Sequence, residues 1–599
     1  MPKVAMIEIP LKQYWNLFFD YLKPQWGRVT LLAIALLSSI GLQVINPQVL
    51  RYFIDTAVAG GSQQSLLTAA ILFTVLALLS QVLAVAATYW GENAAWTATN
   101  ALRVDLAVHC LNLDLSFHKS RTPGELIERI DGDTTALAKF FSQLIIYVLG
   151  NLLLLLGVLI ALFWLDWRAG LCLAIYSITA LIVLVRIRIY SIVYWAANRQ
   201  VSAEFFGFLG EQFTGREDIR ANGAVSYAMN RFYKILQRWL PVFHKARLIG
   251  TILWGTSIGL FAVGNAIALS LGAYLWSQGA IAIGTVYLIF HYTNLLRQPM
   301  EQIRTQLEEL QQAEASIYRI RELFQIQSKL NTTGNKLLPT NPLSISFEEV
   351  WFSYEIEKPN QEREFDISDE WTLQDITFYL RPGEVLGLLG RTGSGKTTLA
   401  RLLLRLYEPQ TGSIRLGGVP INETRSTEIS QHIGLVTQDV QLFQATIRDN
   451  LTFFDRNFSD DHLLQALETL GLTEWLQSLP QGLDTQLGAD SNGLSAGEAQ
   501  LLALARIFLK NPGLVILDEA SSRLDPITEK RIERAIDKLL DGRTGVIIAH
   551  RLQTIQRADK ILILEKGQII EYGDRKQLAN NPNTRFAQLL KTGLTEILV

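Results

Sequence analysis

Gly390-Arg391-Thr392-Gly393-Ser394-Gly395-Lys396-Thr397 follows the apolar run Val385-Leu386-Gly387-Leu388-Leu389 and opens a helical pattern, Thr398-Leu399-Ala400-Arg401-Leu402-Leu403-Leu404. Strand, glycine loop and helix in that order make a phosphate cradle: backbone N–H groups exposed by the glycines point inward, and the helix N-terminus adds a positive partial charge. Lys396 is expected to reach the β- and γ-phosphates and Thr397 to ligate Mg²⁺, with Thr398 completing the binding segment. A nucleotide with Mg²⁺ is therefore the expected ligand.

Downstream, Gly513-Leu514-Val515-Ile516-Leu517-Asp518-Glu519 reads as a second buried strand ending in two carboxylates. Such a run says little alone, but after a phosphate loop it has a defined use. Asp518 is expected to hold the Mg²⁺ water shell, and Glu519 to orient or deprotonate an attacking water.

A chain of 599 residues is too long for one core. Charged residues are only 18% of it, fewer than in ordinary soluble proteins, and the apolar ones concentrate in the first half. Six stretches there are long and apolar enough to cross a hydrocarbon core of about 30 Å: residues 29–50, 66–90, 140–163, 169–190, 248–276 and 284–303. The last is the most polar. Asn46-Pro47 is expected to kink or end the first of these helices. The fold class expected is an all-α six-helix transmembrane domain, residues 1–325, then a linker, residues 326–342, then an α/β P-loop NTPase domain, residues 343–599.

Basic residues set the expected orientation. Arg103, Lys119, Arg121, Arg129 and Lys139 lie between the second and third stretches, and Arg199, Arg216, Arg220, Arg231 and Lys234 are among those between the fourth and fifth. The alternate connections carry only Arg168. Excess Lys and Arg mark the cytoplasmic side, so both termini, the long connections and the NTPase domain are expected there, in a plasma (inner) membrane. A net charge of −2 gives no reason to expect nucleic acid as a partner. Two cysteines, Cys110 and Cys172, exclude a disulfide framework, and no signal peptide is expected before the first apolar run.

Taken together, these motifs resemble the ATP-binding cassette (ABC) transporter family, specifically its exporter-type half-transporters. Leu494-Ser495-Ala496-Gly497-Glu498 is similar to the signature motif, Gln438 to the Q-loop glutamine, Ser522-Arg523-Leu524-Asp525 to the D-loop, His550 to the switch histidine and Tyr354 to the aromatic that stacks on adenine. The segment from Leu115-Ser116-Phe117 to Asp131-Gly132-Asp133 resembles the first intracellular coupling segment. The resemblance implies that Gln438 joins Thr397 and Asp518 around Mg²⁺. It also implies that Ser495, Gly497 and Asp525 serve a composite site, in which the loop of one cassette faces the signature of another. With one cassette per chain, a second half-transporter is the expected partner, as a homodimer or a heterodimer. The lipid bilayer surrounds the assembly, and a small hydrophobic or amphipathic substrate is expected to be exported or flipped.

The chain departs from the family pattern at Ala496, where glycine is usual, at Glu498, where glutamine is usual, at Ala489 and at Arg523. Glu519 and His550 retain the family residues. A soluble ABC ATPase, an importer of exporter architecture and an ATP-gated channel are the other readings of the same motifs; the six apolar stretches oppose the first.

Overall fold

Uninterrupted runs of Leu, Val, Ile and Ala build helices much longer than a globular protein needs. The computed structural model describes residues 19–328, 330, 334–340, 342–354, 371–438, 440–479, 481–488, 494–518, 526–549 and 552–591. The chain divides into two compact units, Met1–Leu111 with Pro123–Ile326, and Asn112–Thr122 with Gln327–Val599.

The first unit is helical: α1 Trp26–Val58, α2 Gln63–Leu111, α3 Thr134–Gln143, α4 Gly150–Leu165, α5 Trp167–Thr214, α6 Val225–Ser277, α7 Ile283–Leu295 and α8 Arg297–Gln325. Among the described residues, five helices have the length and hydropathy to cross a membrane: Phe19–Val58, Gln63–Leu111, Ile146–Leu165, Trp167–Thr214 and Val225–Ser277. α7 has 13 residues and is continued, after a turn at Leu296, by the more polar α8.

Local chemistry explains the reversals. Asp166 caps α5, its Oδ1 accepting from the backbone N–H of Arg168 at 2.7 Å and of Ala169 at 3.4 Å, so α4 turns into α5 across one residue. Asp55 at the end of α1 accepts from the N–H of Gly284 at 2.8 Å, fixing the start of α7. The core of this unit joins α4, α5 and α7 through Leu162, Leu173, Leu288, Ile289 and Tyr292. The expectation that Pro47 ends or kinks α1 is corrected in one respect: the helix runs on to Val58. Proline removes one N–H and leaves the rest of the ladder intact, which neighbouring helices tolerate.

The second unit holds two sheets. One is four-stranded, in the order β2 (Leu373–Leu380), β1 (Ile345–Phe352), β4 (Thr411–Leu416), β5 (Val419–Pro420); the other is six-stranded, in the order β10 (Gln568–Asp574), β9 (Lys560–Glu565), β3 (Val385–Leu389), β8 (Thr544–Ile548), β7 (Leu514–Asp518), β6 (Ile433–Val436). Strands β9, β3, β8, β7 and β6 are parallel, and β3 and β8 are buried along their whole length. That burial accounts for their unbroken apolar sequences. Helices α9 (Lys396–Leu403), α10 (Ala496–Lys510) and α11 (Pro526–Leu540) flank the strands in sequence. The short helix Leu115–Ser120 also belongs to this unit, with Leu115 packed against the core that contains Phe347 and Leu399.

Candidate functional site

The parallel register brings the sequence motifs to one edge. Leu388 of β3 lies level with Ile548 of β8, Ile548 with Asp518 of β7, and Leu517 with Val436 of β6. The segments leaving these strands are, in chain order, the loop from Gly390, the exposed Gln438, and the residues after Asp518 and Ile548. Ligand crevices of open parallel sheets form outside the carboxyl ends of the strands. Glu519, Asp525 and His550, with Ala489 and Arg523, lie outside the described residues.

Close packing shapes the loop itself. A Cβ at Gly390 would stand 2.2 Å from the carbonyl oxygen of Leu564, and Gly395 holds φ +105° with its missing Cβ position 2.5 Å from Leu373 Cδ2. Only glycine fits either place. Arg391, Thr392, Gly393 and Thr397 are exposed, whereas Ser394, Lys396 and Thr398 are buried. Lys396 Nζ donates to the carbonyl oxygens of Gly390 at 2.6 Å and Arg391 at 2.9 Å. The Ser394 hydroxyl is buried without a hydrogen-bond partner among the described residues. A buried ammonium and a buried hydroxyl without a hydrogen-bond partner among the described residues, both in the glycine loop, are a fit for phosphate oxygens. The Thr397 hydroxyl and the Asp518 carboxylate at the same edge are the hard oxygen donors that suit Mg²⁺ alongside phosphates.

Tyr354 sits just beyond β1, half-buried. Its hydroxyl donates to Thr398 Oγ1 at 3.0 Å and accepts from Arg401 at 3.2 Å. The ring meets Phe352 and Tyr407 edge to face, at centroid distances of 4.8 and 5.0 Å, and Lys119 Nζ stands 4.4 Å from its centroid. A cavity of about 260 Å³ opens beside it, bounded by Tyr354, Tyr407, Glu408, Gln410 and Asp114. Reading the sequence alone missed Lys119 and Arg401 as neighbours of Tyr354, because nothing in the spacing of residues 119, 354 and 401 signals their proximity.

Ser495 and Gly497 stand at the N-terminus of α10. Glu498 Oε2 accepts from the Ser495 backbone N–H at 2.7 Å and from its hydroxyl at 2.9 Å, while the Glu498 N–H donates to Ser495 Oγ at 3.3 Å. Sequence reasoning missed this capping box, whose signal is Ser-x-x-Glu before an apolar run. Further along α10, the buried Arg506 donates to the Gln441 carbonyl oxygen and to Asn450 Oδ1, both at 2.9 Å, tying α10 to the chain that follows Gln438. Burial lowers the Arg506 pKa to about 10, so it is charged at neutral pH.

The sheet and its loop define the class: a P-loop nucleotide-binding cassette, carried on the same chain as a bundle of apolar helices. Comparison with known proteins gives the family. Residues 373–522 match the ABC transporter profile and residues 29–300 the ABC transporter transmembrane region. The chain is 30% identical over 587 residues to the ABC transporter ATP-binding protein YknV of Bacillus subtilis, covering 96% of this chain and 94% of that one. It is 27% identical over 599 residues to an ATP-dependent lipid A-core flippase of Alcanivorax borkumensis, covering 98% and 99%. The structure of a bacterial Atm1-family ABC exporter with ATP bound matches it with a TM-score of 0.77 at 25% identity, over 94% of this chain and 98% of that chain.

The protein belongs to the ABC transporter family. It is an integral multi-pass membrane protein of the exporter type that binds and hydrolyses ATP. Its half-transporter architecture implies that two halves assemble.

Proposed function

We propose that this half-transporter exports or flips a hydrophobic or amphipathic substrate by alternating access, as a twofold homodimer in the plasma (inner) membrane with both termini and the cassettes cytoplasmic. Residues 1–325 form the membrane domain, whose sixth span runs from α7 into α8, residues 326–342 the linker, and residues 343–599 the cassette. The flippase activity named for one relative supports an amphipathic substrate. Ala496 and Glu498 favour a second arrangement, a heterodimer with a partner of more usual signature.

The observation that carries the reading is the Lys396 ammonium, 2.6 Å from the Gly390 carbonyl oxygen inside a loop where the Ser394 hydroxyl has no hydrogen-bond partner among the described residues. On nucleotide binding Lys396 releases the two carbonyl oxygens for the β- and γ-phosphate oxygens, and Ser394 and the loop N–H groups complete the cradle. Tyr354 offers a π-face to adenine. Thr397, Gln438 and Asp518 would hold Mg²⁺, which neutralises phosphate charge when bound. Ser495 and Gly497 serve the γ-phosphate of the ATP held by the other cassette. Glu519 accepts a proton from, or orients, the attacking water, with His550 as the switch histidine and Asp525 as the D-loop aspartate. ATP binds the closed cassette pair more tightly than the open pair, and that difference is what can move the membrane helices.

Purified protein in nanodiscs tests the assignment. Glu519→Gln is expected to abolish turnover and retain ATP binding, and unimpaired steady-state hydrolysis in that variant refutes the role given to Glu519. If the protein forms homodimers without appreciable ATPase activity and a second half-transporter restores it, the homodimer is wrong. A stimulation screen across lipids, peptides and hydrophobic cations identifies the substrate class.

A further inference from the structure

Glu498 does more than cap a helix. It places a carboxylate at the N-terminus of α10, where the composite-site reading above puts the partner's γ-phosphate. Its Oε2 takes two donors at once, the Ser495 N–H at 2.7 Å and the Ser495 hydroxyl at 2.9 Å. A hydroxyl carries one proton. While that proton points at Glu498, Ser495 cannot donate it to a phosphate oxygen. Ser495 is exposed and Glu498 half-buried, so the arriving nucleotide meets this pair directly.

The carboxylate also satisfies, within the chain, the positive end of a helix of 15 residues. A phosphate approaching that end therefore meets a like charge and a donor that is already engaged. Glutamine at position 498 would accept the same two hydrogen bonds through its amide oxygen and carry no charge. The two residues then differ in charge and in one terminal atom, an acceptor oxygen in glutamate and a donor NH2 in glutamine.

We propose that Glu498 sets the nucleotide affinity of the composite site: in the separated cassette its carboxylate holds Ser495, and closure on ATP requires that contact to be given up against charge repulsion. Glu498 is a positioning residue here, acting through Ser495. The proposal rests on the composite-site reading, in which Ser495 faces the nucleotide of the other cassette.

The test uses full-length protein in nanodiscs with Mg²⁺-ATP, varying ATP and ionic strength. Glu498→Gln is expected to lower the KM for ATP at least threefold without lowering kcat. Wild-type KM is expected to fall toward the variant's value as added salt screens the repulsion, while the variant responds less. A residue that only caps the helix would change the thermal midpoint and leave KM and its salt response alone. Glu498→Ala, which loses the cap as well as the charge, is expected to lower KM similarly despite reduced stability. An unchanged or raised KM in Glu498→Gln overturns the proposal. Ser495→Ala separates the two levels of the argument. If it impairs hydrolysis while Glu498→Gln has no effect, only the role of Glu498 is wrong; if it leaves KM and kcat untouched, the composite-site reading fails and the proposal falls with it.

Discussion

Lys119 stands over the ring of Tyr354, its ammonium nitrogen 4.4 Å from the ring centroid and 5.6 Å from that of Tyr407. Lys119 lies in the short helix Leu115–Ser120, whose segment enters the cassette unit from the helical one and leaves it again at Thr122. The ring assigned to adenine and the segment resembling the family's coupling loop therefore share a contact. An exposed cation–π pair contributes about 0.5–1 kcal/mol. Lys119→Met is expected to weaken ATP binding two- to fivefold, and Lys119→Arg to preserve it, measured by nucleotide titration.

Tyr354→Phe separates the ring from its hydroxyl. Loss of the bonds to Thr398 and Arg401 should cost about 1 kcal/mol of cassette stability and leave ATP affinity within twofold. Tyr354→Ala should weaken affinity at least tenfold. Equal affinities for the Phe and Ala variants would remove the ring from the nucleotide site.

Lys396 is buried and bonded to two loop carbonyls. Lys396→Ala is expected to lower nucleotide affinity more than tenfold and to cost about 1–3 kcal/mol of stability even without nucleotide, because those bonds are charge-assisted. Fluorescent-nucleotide binding and thermal unfolding read the two effects separately. Lys396→Arg should not restore binding, since a planar guanidinium does not fit a loop closed around a single ammonium.

Arg506 and Asn450 form one buried polar knot. Asn450 Oδ1 accepts from the Phe443 N–H at 2.8 Å as well as from Arg506, and Phe453 lies under the guanidinium at 4.8 Å. Arg506→Met strands several acceptors and should cost about 2–4 kcal/mol. Hydrogen exchange over residues 441–454 is expected to rise ahead of the rest of the cassette; uniform exchange would show that the knot does not order this segment.

In the helical unit, Asp133 accepts from Ser316 Oγ and Arg319 Nε, both at 2.8 Å, and is 2% exposed. Removing the carboxylate takes away the charged partner of a guanidinium that still reaches the Ser316 hydroxyl at 3.2 Å, and that side chain is 42% exposed, so Asp133→Ala should cost about 1–3 kcal/mol. Faster exchange in the C-terminal half of α8 checks it. Exchanging the pair, Asp133→Arg with Arg319→Asp, should recover only part of the loss, because the arginine would then occupy the buried place.

Motifs carried by local backbone chemistry were readable directly. The glycines at 390 and 395 mark places where a Cβ meets another strand's backbone or a core side chain. The capping box at Ser495 was missed, because its five residues were read as a signature motif. Pro47 does not end α1, because the effect of a proline depends on what surrounds the freed carbonyl. The partners of Tyr354 were hidden, since Lys119 lies 235 positions before Tyr354 and only tertiary contact brings them together.

The sequence by itself determined that the chain holds a phosphate loop, apolar helices of membrane length and a single cassette, because each follows from neighbours along the chain: glycine conformations, hydropathy over a turn, strands that end in carboxylates. Only the tertiary structure decided which of those parts touch. The parallel register aligned the edges that carry Gly390, Gln438 and Asp518, and long-range packing put Lys119 on Tyr354. The geometry of one helix end turned Glu498 from a departure in a motif into a charge held against Ser495.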